Sequence, residues 1–364
     1  MNNNDLFIIN LSQQIVGFLY IVLAITFVIL LAINITWIVT NIVFWAFNGL
    51  QALLVDPSVI ESIYLSTFLK WILLGDIIWI ASALTFAFMR KDYRTDPKEH
   101  YLVKKPLDTQ TMCVVLPAYN EELSIESVVK DFINFKNVKQ VIVVDNDSSD
   151  KTVEIAEKAG AKVIKNKKNM GMAYSCVQGL RESLNFDVDI ITLVESDGTC
   201  VSDDLNKMIP YMQNCDTVIG TRALQVLSEK GNQLGMLHIW GNYFLAKLIQ
   251  AKFFSMLHMG VVSLTDVGCM YRIIHKNSLE KIIDEFTNSE TGNVIPNYEL
   301  TLFMTMECLK HNLRIVEIPI TFKQRIGQSK IGSQKKNIAI KVGLKFLWYI
   351  LKSRAYIDFY SYRI

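Results

Sequence analysis

Residues 112–121 read MCVVLPAYNE and residues 140–150 read QVIVVDNDSSD. Each is an apolar run, rich in valine, that ends abruptly in a polar cluster, which predicts a strand followed by a loop. Behind the second run, KTVEIAEKAG (151–160) predicts a helix, with Gly160 as its stop. The pattern continues outward. Residues 121–135 read as a helix, AKVIKN (161–166) as a third strand and 171–185 as a third helix. DIITLVESDGT (189–199) is a fourth strand, 202–212 a helix and DTVIGTR (216–222) a fifth strand. Such alternation predicts an α/β domain with a mostly parallel sheet. Ligands of such sheets bind at the carboxyl ends of strands. Four of these ends carry polar clusters: Tyr119–Glu121, Asp145–Asp150, Glu195–Asp197 and Gly220–Arg222.

The chain of 364 residues is long enough for about two units at ~150 residues each. With 51% hydrophobic and 20% charged residues it is too apolar and too weakly charged to be disordered. The apolar excess sits at the N-terminus, where residues 6–55 contain no Asp, Glu, Lys or Arg. That run exceeds the ~20 residues needed to cross a bilayer. A first apolar segment, Ile15–Phe47, and a second, Ile63–Met89, flank a polar stretch with Asp56, Pro57 and Glu61. A transmembrane helical hairpin is therefore expected over residues 1–92, followed by a basic juxtamembrane linker at 93–110. The alternative is that the second segment is a buried or interfacial helix. Lys70 can snorkel toward an interface, whereas Asp76 is costly at bilayer depth and is expected to face the partner helix or a protein surface. Arg90, Lys91, Arg94, Lys98, Lys104 and Lys105 follow Met89, and the connecting loop has no basic residue. The positive-inside rule then places residues 90 onward in the cytoplasm, as part of an integral membrane protein. The N-terminus lacks the basic n-region of a secretory signal, and its apolar run is too long for one. A net charge of +2 gives no reason to expect a nucleic-acid partner. The six cysteines have no C-x-x-C spacing and read as reduced, buried thiols.

Within the globular part, Glu195 and Asp197 lie two apart at the end of an apolar strand, a spacing that places both on one side. Mg²⁺ or Mn²⁺ takes oxygen ligands, typically one or two carboxylates plus substrate phosphates. Asp145 can accept hydrogen bonds from a nucleobase or ribose. Asp147, Ser148 and Ser149 read as turn and capping residues. The planar guanidinium groups of Arg222, Arg272 and Arg325 suit phosphate recognition. Arg325 and Lys330, around Gly327 and Ser329, have the composition of a phosphate-contacting loop. Arg272 could instead form a structural ion pair with Asp266.

VVLPAYNEE (114–122), VIVVDNDSSDKT (141–152) and the acidic pair of VESDGT (194–199) resemble the family-2 glycosyltransferases, which have the GT-A fold. DTVIGTR, Trp240–Asn242, TDVGCMYR (265–272) and RIGQSK (325–330) resemble their polyprenyl-phosphate branch, typified by dolichyl-phosphate mannose synthase. The resemblance covers residues 111–332. It implies a nucleotide-sugar donor, a divalent metal and an inverting transfer. Glu195 and Asp197 would take the places of the D-x-D motif. Asp145 would contact the nucleoside in a pocket lined by Pro117, Tyr119 and Glu121, with Asn146, Gly171 and Ser196 among the donor contacts. The loop with Arg325 and Lys330 would close over the donor and acceptor phosphates. Three positions depart from the family pattern. Asn146 stands where Asp is more frequent, Met172 where Lys or a small residue is, and Ile239 where a basic residue precedes Trp240, leaving His238 or an arginine to meet phosphate there.

An alcohol acceptor needs a base, but a phosphate monoester is already mostly dianionic at pH 7 and needs only cations to position it. The Gln-x-x-Arg-Trp motif of processive polysaccharide synthases is absent. Residues 233–264 are apolar with Lys247, Lys252 and His258, and residues 335–354 interleave Lys336, Lys341, Lys345, Lys352 and Arg354 with apolar side chains. A C-terminal amphipathic interfacial helix is expected at 333–364; the alternative is core-facing helices with solvated lysines. The expected activity is transfer of one sugar from GDP-mannose or a UDP-hexose to dolichyl or undecaprenyl phosphate at the cytoplasmic face. Two alternatives are transfer to a lipid or glycan hydroxyl, and a non-catalytic membrane-anchored protein that binds nucleotide sugars.

Overall fold

The computed structural model describes residues 19, 22–43, 46, 67–89, 110–228, 235–253, 263–287, 300–327 and 336–353, which fall into two compact units. The first unit holds two long apolar helices, α1 (Val22–Val43) and α2 (Thr67–Met89). At 1.5 Å per residue, α1 is about 33 Å long, enough to cross a hydrocarbon core. Polar and aromatic contacts among the described residues join the helices. Asn34 Nδ2 donates to both Asp76 carboxylate oxygens at 3.1 and 3.3 Å. Trp79 Nε1 donates to the Leu23 carbonyl at 3.0 Å, and its ring centroid lies 5.0 Å from that of Phe27. Asp76 therefore faces the partner helix, one of the two placements expected for it. Ile25, Val28, Trp71 and Ile77 remain exposed on the outer faces. The connecting stretch with Asp56, Pro57 and Glu61 and the basic residues 90–105 lie outside the described residues.

In the second unit the chain runs β1 (Met112–Ala118), α3 (Ile125–Ile133), β2 (Val138–Asp145), α4 (Thr152–Lys158), β3 (Lys162–Lys165), α5 (Met172–Ser183) and β4 (Ile190–Leu193). It continues through α6 (Leu205–Met208), β5 (Thr217–Thr221), α7 (Ala223–Ser228) and α8 (Met236–Lys252). The last elements are β6 (Arg272–His275), α9 (Lys276–Ile282), α10 (Leu300–Lys310), β7 (Ile315–Pro319) and α11 (Lys336–Lys352). The sheet has the order β3-β2-β1-β4-β6-β5-β7. β6 is antiparallel to both its neighbours and the other pairings are parallel, so six strands point one way. Alternate residues of β1 feed opposite faces. Cys113 and Val115 join a core with residues of α5, α8, α10 and α11, while Val114 and Leu116 join one with Ile125, Val129 and Met208. All six cysteines are buried and free.

The strands expected from residues 112–222 are present, and two more follow. β6 enters between β4 and β5, and because it runs backward its first residue, Arg272, lies at the edge where the parallel strands end. β4 stops at Leu193, so Glu195 and Asp197 lie beyond it on a loop rather than on alternating strand positions. Ser196 anchors that loop: its Oγ donates to the Pro117 carbonyl at 2.7 Å, and its own carbonyl accepts from Ser124 Oγ at 2.8 Å.

Candidate active site

The carboxyl ends of β1, β2, β4 and β5 open into one cavity of about 610 Å³. At the end of β1, Asn120 takes a positive φ of 54°, and its side-chain oxygen accepts from Ser149 N at 2.8 Å. Ser148 Oγ accepts from Asn120 N, so Ser148 and Ser149 act as turn residues tied to Asn120; neither caps α4, whose cap residue is Lys151, and it is Asp150 that accepts from Thr152 N. Pro117, Tyr119 and Glu121 line the cavity. Asp145 is buried beside it. One of its oxygens accepts from Ser148 N at 3.2 Å and the other, Oδ1, is buried with no hydrogen-bond partner.

Asn146, on the cavity wall, shows why an amide stands there. Its oxygen accepts from Met170 N at 2.9 Å and Asn166 Nδ2 at 3.1 Å, while its Nδ2 donates to Asn169 Oδ1 at 2.9 Å. A carboxylate could make the first two bonds and not the third. Asn169 Oδ1 also accepts from Gly171 N, fixing the turn into α5, and Asn169, Gly171 and Met172 all reach the cavity.

Glu195, Ser196 and Asp197 form the floor. Asp197 Oδ1 accepts from Thr199 N at 3.0 Å and Thr199 Oγ1 at 2.6 Å. Its Oδ2 accepts from Arg325 Nη1 at 2.8 Å, while Arg325 Nη2 donates to Glu121 Oε1 at 2.6 Å. One guanidinium thus bridges two carboxylates from different strand ends. The segment bearing it is docked along the acidic loop, with Ile326 N donating to the Asp197 carbonyl and Lys323 N to that of Thr199. Gly198 makes the approach possible. It sits at φ +78°, and a Cβ there would lie 2.8 Å from the Ile326 side chain. Lys330 lies outside the described residues. Burial first, and the neighbouring Asp197 second, push the Glu195 carboxyl above its ordinary range, against the pull of Arg222.

The other two arginines differ. Arg222 lines the cavity in a fork with Asp266, Nε to Oδ2 at 2.7 Å and Nη2 to Oδ1 at 2.9 Å. Its burial works against the charge, and Asp266 outweighs that, leaving it firmly protonated. The Phe322 ring lies 5.4 Å below the guanidinium. Arg272, by contrast, is 2% exposed and absent from the cavity wall. It donates to the carbonyls of Thr301 and Cys269 at 3.2 and 2.7 Å, and its Nε is buried without a partner. Burial lowers its proton affinity. The ion pair considered for Asp266 therefore forms with Arg222 and not with Arg272, because β6 turns Arg272 into the core between β4 and β5.

The far wall comes from α8 and α11: Leu237, His238, Leu245, Ile340, Val342 and Phe346. Ile239 is buried against Val226 and Phe322, and His238, not Ile239, lines the cavity. Two features carried no signal in the chain. Asn169 is an ordinary loop residue by composition. Glu317, inside β7, accepts from Thr265 N at 2.8 Å, Thr265 Oγ1 at 2.6 Å and Asp266 N at 3.0 Å.

The donor set fits a hard divalent cation. Two carboxylates reach the cavity floor, and Asp197 already binds a cationic group from Arg325. Among the described residues no group of three or more His, Cys, Asp or Glu forms a ready cage. Mg²⁺ is commonly held by one or two carboxylates, the rest of its shell coming from substrate phosphates and water.

Residues 113–282 match the family model described as Glycosyl transferase family 2. Protein RfbJ of Shigella flexneri is 31% identical over 128 residues, which is 34% of this chain and 89% of that protein. The undecaprenyl-phosphate mannosyltransferase of Micrococcus luteus is 25% identical over 253 residues, covering 66% of this chain and 97% of that one. The UDP-N-acetylglucosamine–dolichyl-phosphate N-acetylglucosaminyltransferase of Methanococcus voltae is 26% identical over 233 residues, covering 57% and 83%. With its motifs lodged at the strand ends of one cavity, the chain belongs to glycosyl transferase family 2 and is similar to that family's polyprenyl-phosphate members.

Proposed function

We propose that the protein is a membrane-bound, inverting glycosyltransferase that moves one sugar from a nucleotide sugar to a polyprenyl phosphate at the cytoplasmic face. One observation carries the reading: a single cavity joins the polar strand ends, where a donor would lie, to the apolar wall of α8 and α11, where a lipid would lie. Tyr119, Asp145 and Asn146 hold the nucleoside. Glu195 and Asp197 would hold Mg²⁺ or Mn²⁺, which when bound neutralises charge on the leaving nucleoside diphosphate. Arg222, held rigid by Asp266, and Arg325, once released from Glu121 and Asp197, position the acceptor phosphate. An oxygen of that phosphate attacks the sugar anomeric carbon from the face opposite the diphosphate. The new carbon–oxygen bond forms as the bond to the diphosphate breaks, and the configuration inverts. No side chain need remove a proton, because the acceptor is already ionised. Arg272 contributes positive potential from beneath the floor rather than contact. The relatives carry mannose in one case and N-acetylglucosamine in another, so GDP-mannose and UDP-hexoses are both candidate donors.

The test is a screen of labelled nucleotide sugars against membranes supplied with polyprenyl phosphate or with neutral polyprenol. Label is expected in the phosphate-dependent lipid fraction, lost with a chelator and restored by Mg²⁺ or Mn²⁺. Equal transfer to the alcohol would replace this reading with a hydroxyl acceptor; nucleotide-sugar binding without transfer would leave a binding protein.

A further inference from the structure

We propose that Glu317 is a positioning residue for Arg222, acting through the Thr265–Asp266 turn, an inference that rests on Arg222 as an anion contact in the transfer proposed above. β7 pairs parallel with β5, and the register sets Glu317 beside Ile219, three residues before Arg222. From there its carboxylate turns inward. Oε2 accepts from the backbone N and the hydroxyl of Thr265, and Oε1 accepts from Asp266 N. Three donors on one carboxylate fix both residues of the turn. The turn then presents the Asp266 carboxylate, 5% exposed by residue, to five donors. These are Arg222 N, Nε and Nη2, Asn242 Nδ2 and Gly268 N, at 2.7 to 3.2 Å. Two of the guanidinium nitrogens are thereby committed to Asp266, and the plane of the fork is set. Space is tight there: a Cβ at Gly268 would sit 3.2 Å from Arg222 Nη2. The relay runs from a strand carboxylate, through a turn, to a second carboxylate, to the cation on the cavity wall.

A carboxylate at this position is not demanded by the strand, since a solvated residue would satisfy a sheet edge. It is held against its own electrostatics. Burial pushes the Glu317 carboxyl up to about 7, and its bonds to the turn only partly counter this. Its return is the geometry of Arg222.

The experiment is a double-mutant cycle on the full-length protein in lipid nanodiscs, with Glu317→Gln, Arg222→Ala and the pair. Gln keeps the shape and one accepting oxygen, but its amide group meets an N–H of the turn. Glu317→Gln is expected to lower kcat/KM for polyprenyl phosphate about ten-fold while the Kd for nucleoside diphosphate with Mn²⁺ stays within about two-fold. The double variant is expected to be no slower than Arg222→Ala alone. Losses that multiply, or wild-type kinetics in Glu317→Gln, overturn the proposal. Thr265→Val, which removes one donor, provides a second entrance to the same cycle should Glu317→Gln fold poorly. The wild-type protein is assayed with both polyprenyl phosphate and polyprenol. If only the alcohol is used, the phosphate-acceptor reading fails, and the coupling of Glu317 to Arg222 is read with that acceptor instead.

Discussion

Asp197 is held at one oxygen by Thr199 and at the other by Arg325, so its position does not depend on core packing. Replacing it with Asn keeps the shape and removes the charge. Asp197→Asn is expected to leave the melting temperature within a few degrees and to reduce transfer at least roughly a hundred-fold, measured with labelled donor at saturating Mn²⁺. Near-normal activity would remove Asp197 from the cation site. Asn146 makes the opposite case. Asn146→Asp restores the residue frequent in the family, yet sets a carboxylate against Asn169 Oδ1. Either that contact turns repulsive or the Asn169 amide rotates and abandons Gly171 N. A loss of about 1 kcal/mol is expected in chemical denaturation, and a gain in stability would show that the network tolerates the charge. The identity of both residues was legible in the chain because motif spacing marks them. The partners were not: Asn169 lies 23 positions from Asn146, and Glu317 lies 51 from Asp266. Nothing local distinguishes a buried glutamate in IVEIP from a solvated one.

At the level of elements, the first five strands are legible because each hands over to a helix and all but β3, Lys-Val-Ile-Lys, are mainly apolar. The rest resists for physical reasons. β6 is four residues long and follows a turn. α10 is buried from Leu300 to Leu309 on every side, so it has no polar face and no helical period to read. Its Thr305 and Glu307 are instead served internally, by the Thr301 carbonyl and Lys310. α8 and α11 are the reverse. They expose Trp240, Phe244, Leu344 and Trp348, and their Leu237 and Ile340 are both exposed and part of the cavity wall. Lys252, at the end of α8, is buried and donates to the Ile350 carbonyl, tying the two helices together. Both carry the apolar and basic residues of interfacial helices. The chain without residues 1–92 is therefore expected to float with anionic liposomes at low salt. Serine at both Trp240 and Trp348 is expected to reduce the bound fraction several-fold; a fully soluble parent protein would refute the interfacial role.

For the molecule as a whole, stability and reactivity are tied to where charge is buried. Glu317 binds its proton more tightly when folded, with its carboxyl moved from 4.5 to about 7. Unfolding then releases that proton between those values, so this group's contribution is most favourable below 4.5 and declines as pH rises through 7. Between pH 5 and 8 the wild type is expected to lose on the order of 3 kcal/mol relative to Glu317→Gln, read from denaturation at each pH. Parallel curves would refute the buried titration. The bridge from Arg325 to Asp197 and Glu121 has a broader effect. The two carboxylates Glu121 and Asp197 carry a tethered counter-ion, already seated. If Arg325 meets the acceptor phosphate as proposed above, it does so only after the carboxylates have exchanged partners, and vacating the floor and arming the acceptor side become one event. Initial-rate kinetics should therefore show compulsory order, donor with cation before lipid. Arg325→Ala should bind Mn²⁺ more tightly, transfer about ten- to a hundred-fold more slowly, and lose that order. Compulsory order would then follow from a single side chain, Arg325, that neutralises Glu121 and Asp197 at rest and cannot meet a phosphate from the same position.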